Sequence, residues 1–143
     1  MAGSWQWKIW NQMTRAHIGV YRLSHGKIAG TRGGAPVLLL HHSGRKSGKE
    51  RVSPLIYVED GDDLVVVGSK GGSHKHPAWF LNLREMTETE VEVGGDKRRV
   101  KVRVASPEEK ERLWPRAVEV YADYANYQRR TERDIPLLIL SPA

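Results

Sequence analysis

The chain has 143 residues, which suits one domain, and its 39% hydrophobic and 28% charged residues are typical of a soluble globular protein. A formal net charge of +6 favours an anionic partner, such as a phosphorylated cofactor, nucleic acid or an acidic membrane surface. The absence of cysteine excludes disulfides, thiolate catalysis and cysteine-based zinc sites, and it fits a cytoplasmic protein. We find neither an apolar run long enough to span a bilayer nor a signal-peptide pattern.

Residues 5–21 form the first predicted helix, because apolar side chains recur on one face with cations between them. This tryptophan-rich helix fits two roles. It packs over the domain or across a homodimer, or it rests on an anionic membrane surface, where Trp, Lys and Arg suit the headgroup region. In the second case the protein is cytoplasmic and peripheral to the inner face of the cell membrane. We therefore divide the chain into an N-terminal helix, residues 1–24, and a single domain, residues 25–143.

Three short apolar segments then predict β-strands, namely Pro36–His42, Arg51–Glu59 and Leu64–Gly68. The glycine-containing segment Asp60–Asp63 predicts a hairpin turn between the second and third strands. Pro54 lies within the second strand and has no amide donor. We therefore expect it at a sheet edge or a bulge, where backbone groups stay available to a ligand.

The second half of the chain predicts a helix, a hairpin and a final strand. Pro77–Arg84 predicts a short helix, and Pro136–Leu140 predicts the closing strand. Between them, Thr89–Val93 and Arg98–Val104 alternate polar and apolar residues. The turn residues Gly94-Gly95-Asp96 join these two segments, which indicates a hairpin.

The start of a long helix follows the hairpin. Ser106 is the expected N-cap, with Pro107 in the first turn and Glu109 at the third helical position. Apolar spacing continues towards Arg130, and we expect Pro115 to kink or restart the helix. Short strands in meander order, with helices at the ends and between strands, argue against a doubly wound parallel sheet. They predict an α+β fold, a small antiparallel barrel with peripheral helices.

The sequence contains three patterns that resemble known functional sites, and we reject each of them on a specific ground. Gly44–Lys49 resembles a P-loop, but it is one residue short and has Glu50 where a hydroxyl would meet magnesium. The stretch from Ser43 to Lys46 resembles the S-x-x-K motif of penicillin-recognising enzymes without that family's companion motifs. His41 and His42 point to opposite faces of a strand. We expect hydrogen-bonded or solvated histidines and no metal site.

Two basic, glycine-containing loops flank the predicted strand at Leu64–Gly68. The first groups four cations around two glycines and one acid, and the second follows the strand directly. Arginine forks and lysine ammonium groups bind phosphate and carboxylate, and glycines let backbone amides approach an anion. Either loop alone is an ordinary solvated charge run, but together they predict a site for a large anionic ligand. The residues are Arg45, Lys46, Lys49 and Arg51 in the first loop, and Ser69, Lys70, Gly71 and Gly72 in the second.

Three segments in this order resemble the deazaflavin (F420)-dependent nitroreductase family: GRKSGKERVSPL (Gly44–Leu55), SKGGSHKHPAWFLNL (Ser69–Leu83), and the Tyr121/Tyr124/Tyr127 series ahead of RTERDIP (Arg130–Pro136). The resemblance covers nearly the whole chain. It implies a split β-barrel related to flavin-reductase and pyridoxamine-phosphate-oxidase barrels. It also implies coenzyme F420, an 8-hydroxy-5-deazaflavin with a phospholactyl-oligoglutamate tail, as the cofactor. Such a polyanionic tail would account for the basic loops.

The resemblance also implies three groups of site residues. The phosphate and tail carboxylates would be held by Arg45, Lys46 and Arg51, and from the other side by Lys70, Gly71 and Gly72. The deazaflavin ring would be lined by Pro54, Val67, Gly68, Ser69, Pro77, Ala78 and Trp79. The catalytic set would be Ser69, Tyr121, Tyr124 and Tyr127. The tyrosines would wall the substrate pocket, and Ser69 or a tyrosine hydroxyl would stabilise charge that develops on the acceptor.

The tyrosine series meets this expectation only if the helix is irregular. On a regular helix Tyr121 and Tyr124 share a face, while Tyr127 lies roughly 120° from Tyr121 around the axis. All three reach one wall only if the helix end tightens or breaks; otherwise they are ordinary core and rim residues.

The sequence departs from the family pattern at three positions. Ile56 stands where relatives often carry an aromatic residue, Ala78 is small beside the ring, and Phe80 lacks the hydroxyl of the usual tyrosine. The first two changes would alter ring packing or substrate shape and leave the tail site intact.

The expected activity is hydride transfer from reduced F420 to an electron-poor acceptor, such as a menaquinone-like quinone, a nitroaromatic or nitroimidazole, or an activated enone. An FMN-dependent oxidoreductase of the same barrel is the nearest alternative, although FMN's short phosphate tail needs fewer cations. A non-catalytic cofactor-binding protein and a nucleic-acid-binding small β-barrel are further alternatives, and no base-stacking pattern indicates nucleic acid. Both a monomer and a homodimer stay open.

Overall fold

The computed structural model describes residues 15–24, 31–32, 34–69 and 75–143. The predicted helix at residues 5–14 lies outside these ranges. In chain order the elements are α1 (residues 15–23), β1 (Thr31–Arg32), β2 (Ala35–Ser43), β3 (Glu50–Asp60), β4 (Asp63–Val67), α2 (Ala78–Leu83), β5 (Glu88–Val93), β6 (Asp96–Val104), α3 (Pro107–Val120), α4 (Asp123–Arg129) and β7 (Leu137–Pro142).

Strands β2 to β7 close into an antiparallel barrel. Neighbours follow the order β2-β3-β4-β7-β6-β5, and β1 adds to the outer edge of β2. The ring closes where β5 returns to β2 through two residue pairs, Leu39 with Glu92 and Leu40 with Val91. The predicted antiparallel barrel with peripheral helices is confirmed.

The continuous apolar run of β2 is explained by burial on both faces. Leu38 and Leu40 face the interior cluster, which also contains the buried side chains of α2. Val37 and Leu39 point the other way and pack against Tyr21 of α1. Successive side chains of a strand alternate between faces, so both sets must be apolar when both faces are covered. Strands β4 and β7 follow the same rule beneath α3 and α4.

Helix α1 stabilises the seam, which is the short pairing between β2 and β5 that closes the barrel. The hydroxyl of Tyr21, a residue that is only 1% exposed, lies 3.0 Å from the Val37 carbonyl oxygen and 3.2 Å from that of Glu92. The same hydroxyl accepts the Gly94 amide at 2.8 Å. Arg22 donates two hydrogen bonds to the Glu92 carboxylate, at 2.8 and 3.1 Å. The described part of the first helix therefore packs over the barrel, one of the two roles expected for it.

Helix α3 begins at the predicted cap and continues beyond the predicted interruption. The Ser106 hydroxyl accepts the Glu109 amide at 3.2 Å, and the Glu109 carboxylate accepts the Ser106 amide at 3.0 Å. Pro115 lies inside α3, and the chain leaves helical geometry only at Tyr121, with φ −142° and ψ 98°. The helix therefore does not restart at Pro115, which was one of the two outcomes expected there. Burial of Leu113 and Ala117 on the core face holds the helix together through the proline.

Loss of the α3 cap should destabilise the fold measurably. Ser106→Ala removes the acceptor for the Glu109 amide, and we expect the free energy of unfolding to fall by about 1 kcal/mol. Urea denaturation followed by tryptophan fluorescence measures this change. Ser141→Ala, at a partly exposed position in β7, is the matched control and should leave stability nearly unchanged. Equal stability of the two variants would contradict the capping assignment.

Candidate active site

Residues 44–49 form a tight, cation-rich turn between β2 and β3. The Gly44 amide donates to the Lys49 carbonyl at 2.9 Å, and the Gly48 amide donates to the Gly44 carbonyl at 2.8 Å. Gly48 has a φ of 69°, in the left-handed region that favours glycine. The side chains of Arg45 and Lys46 are exposed on this turn. The sequence prediction of a glycine-built connection is confirmed.

The positive charge of the turn is not neutralised by its own acid. Glu50 turns away and lies 2.8 Å from Nδ1 of His41. Within the described ranges, no carboxylate forms an ion pair with the four cations of this segment, which are Arg45, Lys46, Lys49 and Arg51. Concentrated, unpaired positive charge beside glycine amides fits phosphate and carboxylate groups.

The two adjacent histidines of β2 face opposite sides, as predicted. His41 is outside the barrel, with Nδ1 against Glu50 and Nε2 2.7 Å from the Glu92 carboxylate. His42 is inside and 4% exposed. Both are hydrogen-bonded, and among the residues placed by the structure no group of three or more His, Asp or Glu side chains is arranged to hold a metal ion.

A series of hydrogen-bonded polar side chains leads from the turn into the interior of the barrel. Asn82 Oδ1 accepts both the Arg45 amide, at 3.0 Å, and Arg45 Nη1, at 3.2 Å. The Asn82 amide nitrogen lies 3.0 Å from His42 Nδ1, and His42 Nε2 lies 2.9 Å from the Ser53 hydroxyl. Burial, assisted by the nearby Arg51 cation, lowers the pKa of His42 to about 4. His42 is therefore neutral at neutral pH.

The depressed pKa of His42 should appear as acid sensitivity. The unfolded chain binds a proton below pH 6.5 that the folded protein excludes until about pH 4, so stability falls as the pH falls through this window. Between about pH 7 and about pH 4.5, we expect the wild type to lose about 2 kcal/mol more unfolding free energy than His42→Gln. Urea titrations of both proteins measure the difference, and parallel losses would rule out this role for His42.

The predicted ring-lining residues of β3 and β4 lie where the barrel wall opens. Pro54 pairs with Leu39, and the pairing of β3 with β4 begins only at Tyr57, so Pro54 lies at an edge as predicted. Val67 ends β4, and the next residue, Gly68, donates its amide to the Pro136 carbonyl at 2.9 Å. A side chain at Gly68 would place its Cβ 3.0 Å from Pro136 Cγ, so Pro136 would have to shift by a few tenths of an ångström to accommodate one.

The remaining ring-lining candidates differ in exposure. Ser69 is 9% exposed, and Pro77 is buried at the start of α2. Ala78 is exposed, whereas Trp79 is turned into the interior cluster against Phe80, with 6.4 Å between ring centroids. Trp79 therefore contributes mainly to the packing of the hydrophobic core. Lys70, Gly71 and Gly72 lie outside the described residues.

The break between α3 and α4 brings the three tyrosines together. Ring centroids are 5.0 Å apart for Tyr121 and Tyr124, and 6.2 Å for each of the other two pairs. The hydroxyls of Tyr121 and Tyr127 lie 3.3 Å apart. Ring pairs at these separations attract each other. A regular helix would have placed Tyr127 elsewhere, and the extended residue Tyr121 supplies the irregularity that a common wall requires.

Arg133 is a residue that sequence reasoning missed. Its Nη2 donates to the Ser69 carbonyl at 2.8 Å, and its Nη1 lies 3.2 Å from His76 Nδ1. Its own carbonyl accepts the Gln128 side-chain amide at 2.8 Å. The guanidinium thus joins the segment after β4 to the approach to α2, and the Arg133 carbonyl ties both to the end of α4. A cleft of about 360 Å³ lined by residues 129–133 opens beside it.

The fold is a split β-barrel with a concentration of unpaired positive charge at one turn. The protein belongs to the F420H(2)-dependent quinone reductase family, whose model matches residues 13–142. The chain is 38% identical over 134 residues to an F420H(2)-dependent quinone reductase of Mycobacterium tuberculosis, covering 91% of this chain and 90% of that protein. A second M. tuberculosis protein, assigned provisionally to the same activity, is 46% identical over 114 residues, covering 80% and 96% respectively.

Solved structures agree with this assignment. An F420-H2 dependent reductase (FDR-A) is 39% identical, with a TM-score of 0.68 over 74% of this chain and 94% of that one. Another similar structure, described as a domain-swapped dimer, is 34% identical, with a TM-score of 0.70 over 94% and 98%. A Listeria innocua protein provisionally called a pyridoxamine 5′-phosphate oxidase, at 13% identity and a TM-score of 0.52, shares the fold.

The protein is therefore an F420H2-dependent reductase, and coenzyme F420 is its cofactor. Family membership decides between F420 and the FMN alternative. The unpaired cations of residues 44–51 fit the polyanionic tail that the sequence led us to expect.

Proposed function

We propose that the protein reduces a quinone with electrons from reduced F420. The observation that carries this proposal is the mutual contact of the Tyr121, Tyr124 and Tyr127 rings, which we propose as the wall against which a planar acceptor binds. The family description and the names of the relatives point to the same acceptor class. Bound reduced F420 supplies a hydride, and one further proton completes reduction of a quinone to its hydroquinone.

The basic turn is the proposed tail site. Arg45 and Lys46 lie in the turn, Arg51 lies at the start of β3, and none of the three has a carboxylate partner in the described part of the protein. Lys70, Gly71 and Gly72 complete this site by the family resemblance alone. The proposed ring site consists of Pro54, Val67, Gly68, Ser69, Pro77, Ala78 and Trp79. Of these, Trp79 packs in the hydrophobic core and supports the proposed site from inside the barrel.

Ser69 and the tyrosines are the proposed groups at the acceptor. Negative charge develops on the acceptor oxygen during reduction, and nearby hydroxyl donors stabilise it. Ser69 is 9% exposed, and we propose its hydroxyl as one such donor. Arg133 holds the Ser69 backbone through its carbonyl. The Tyr121 and Tyr127 hydroxyls lie 3.3 Å apart and form a hydrogen-bonded pair in which one donates to the other.

Removal of one donor should slow turnover without weakening cofactor binding. We expect Ser69→Ala and Tyr124→Phe, tested separately, to lower kcat by about 10- to 100-fold with a soluble naphthoquinone as acceptor. Absorbance of reduced F420 follows turnover, and fluorescence titration gives the Kd for F420. Tyr57→Phe, a buried tyrosine outside the wall, is the matched control and should keep its kcat. Unchanged turnover of both site variants with every acceptor tried would contradict the assignment.

Nitroaromatics, nitroimidazoles and activated enones are candidate secondary acceptors of the same pocket. They are planar and electron-poor, and their reduction by a hydride also places negative charge near the hydroxyl donors. The same assay compares their kcat/KM values with those of quinones.

Association with an anionic membrane surface is a separate proposal that rests on the tryptophans of residues 5–10. No helix in the described ranges is long and apolar enough to cross a membrane. We expect deletion of residues 1–14 to reduce binding to anionic lipid vesicles in a sedimentation assay, with neutral vesicles as the control. Equal binding of the truncated and full chains would end this idea.

A further inference from the structure

A buried amide lies directly behind the cation-rich turn. We propose that Asn82 is a positioning residue that holds Arg45, and with it residues 44–49, in the arrangement that receives the phosphate and carboxylate groups of the cofactor tail. This proposal rests on the assignment of the tail to the basic turn. Asn82 is 3% exposed and lies on α2, distant in sequence from the turn that it anchors.

The orientation of the Asn82 amide follows from its neighbours. The Arg45 amide and guanidinium can only donate hydrogen bonds, so the atom they share, at 3.0 and 3.2 Å, is the carbonyl oxygen of Asn82. The amide nitrogen therefore faces His42 and donates to Nδ1 at 3.0 Å. Nε2 of His42 then carries the ring proton and donates to the Ser53 hydroxyl at 2.9 Å.

In this series of hydrogen bonds, the amide of Asn82 and both ring nitrogens of His42 have partners. Burial keeps His42 neutral, so its Nδ1 lone pair accepts from Asn82. Asn82 and His42 are both almost fully buried, where an unpaired polar group would be costly. The rotation of the Asn82 side chain is thus fixed from inside the barrel, and its oxygen is presented to the turn.

The choice of an amide, rather than a carboxylate, suits an anion site. A neutral oxygen orients the Arg45 guanidinium without cancelling its charge. All three cations of the turn, Arg45, Lys46 and Lys49, are exposed, but the Arg45 guanidinium also bonds to a buried residue. One fixed arginine and its amide therefore order the site before the ligand arrives, which lowers the entropy cost of binding.

The test separates tail recognition from ring recognition. Full-length wild type and Asn82→Leu are titrated by fluorescence with F420 and with the deazaflavin that lacks the phosphate and glutamate tail. We expect Asn82→Leu to weaken F420 binding about 10- to 100-fold and to change binding of the tail-less compound less than about threefold. Trypsin should cut the ligand-free variant faster than wild type after Arg45 or Lys46, as read by mass spectrometry.

The matched variant Asn82→Asp keeps the acceptor for Arg45 and adds a negative charge. We expect it to resist trypsin like wild type but to bind F420 more weakly, with the deficit shrinking at high salt because the cause is electrostatic. If Asn82→Leu does not fold, Asn82→Ser replaces it in the same experiment. This variant also loses the Arg45 contacts, but it changes the side-chain volume less.

Each outcome decides between the proposals. Equal weakening of both ligands by Asn82→Leu, or unchanged F420 binding, overturns the positioning role while the tail assignment stands. Wild-type protein that binds F420 no tighter than the tail-less compound overturns the tail assignment and the positioning role together.

Discussion

Closure of the barrel between β2 and β5 is the constraint on which the site depends. The two strands share two paired positions, and side chains strengthen this short seam. The Tyr21 hydroxyl bonds to both strands, and Thr89 donates its hydroxyl to the His41 carbonyl at 2.5 Å. Although burial acts to raise it, hydrogen bonds from Arg22 and His41 hold the pKa of Glu92 below its ordinary value. The seam thus fixes β2, whose far end leads into the basic turn.

The two halves of the site are built from different parts of the barrel. The turn is anchored through Asn82 to the interior, within the cluster that contains α2. The tyrosine wall belongs to the outer cluster beneath α3 and α4, which also contains Val67. Arg133 joins these regions near Ser69. The residue that anchors the basic turn and the tyrosine cluster therefore belong to different packing units of the barrel.

Local signals in the sequence predict most of the fold. The capping box at Ser106 and the hairpin at Gly94-Gly95 follow from short-range chemistry, and β2 and β4 follow from their apolar runs. The helix break at Tyr121 does not, because Pro115 gives a stronger local signal and packing of the core face overrides it.

Long-range polar contacts account for what the sequence could not predict about the site. Tyr21, Asn82 and Arg133 act through partners many residues away, and no spacing rule connects those partners. Asn82 carried one weak signal, because it is the one amide among the apolar residues of AWFLNL. Arg133 carried none beyond its place in the RTERDIP segment.

The unneutralised charge of residues 44–51 has a kinetic consequence. Its field extends beyond contact distance, with a screening length of about 8 Å at physiological ionic strength. A polyanion approaching the protein is steered towards the turn, so the rate of encounter rises with the number of its charges and falls with added salt. An uncharged quinone feels no such attraction and arrives by undirected diffusion. The electrostatics of one short turn thus raise the encounter rate of a polyanion and leave that of an uncharged acceptor unchanged.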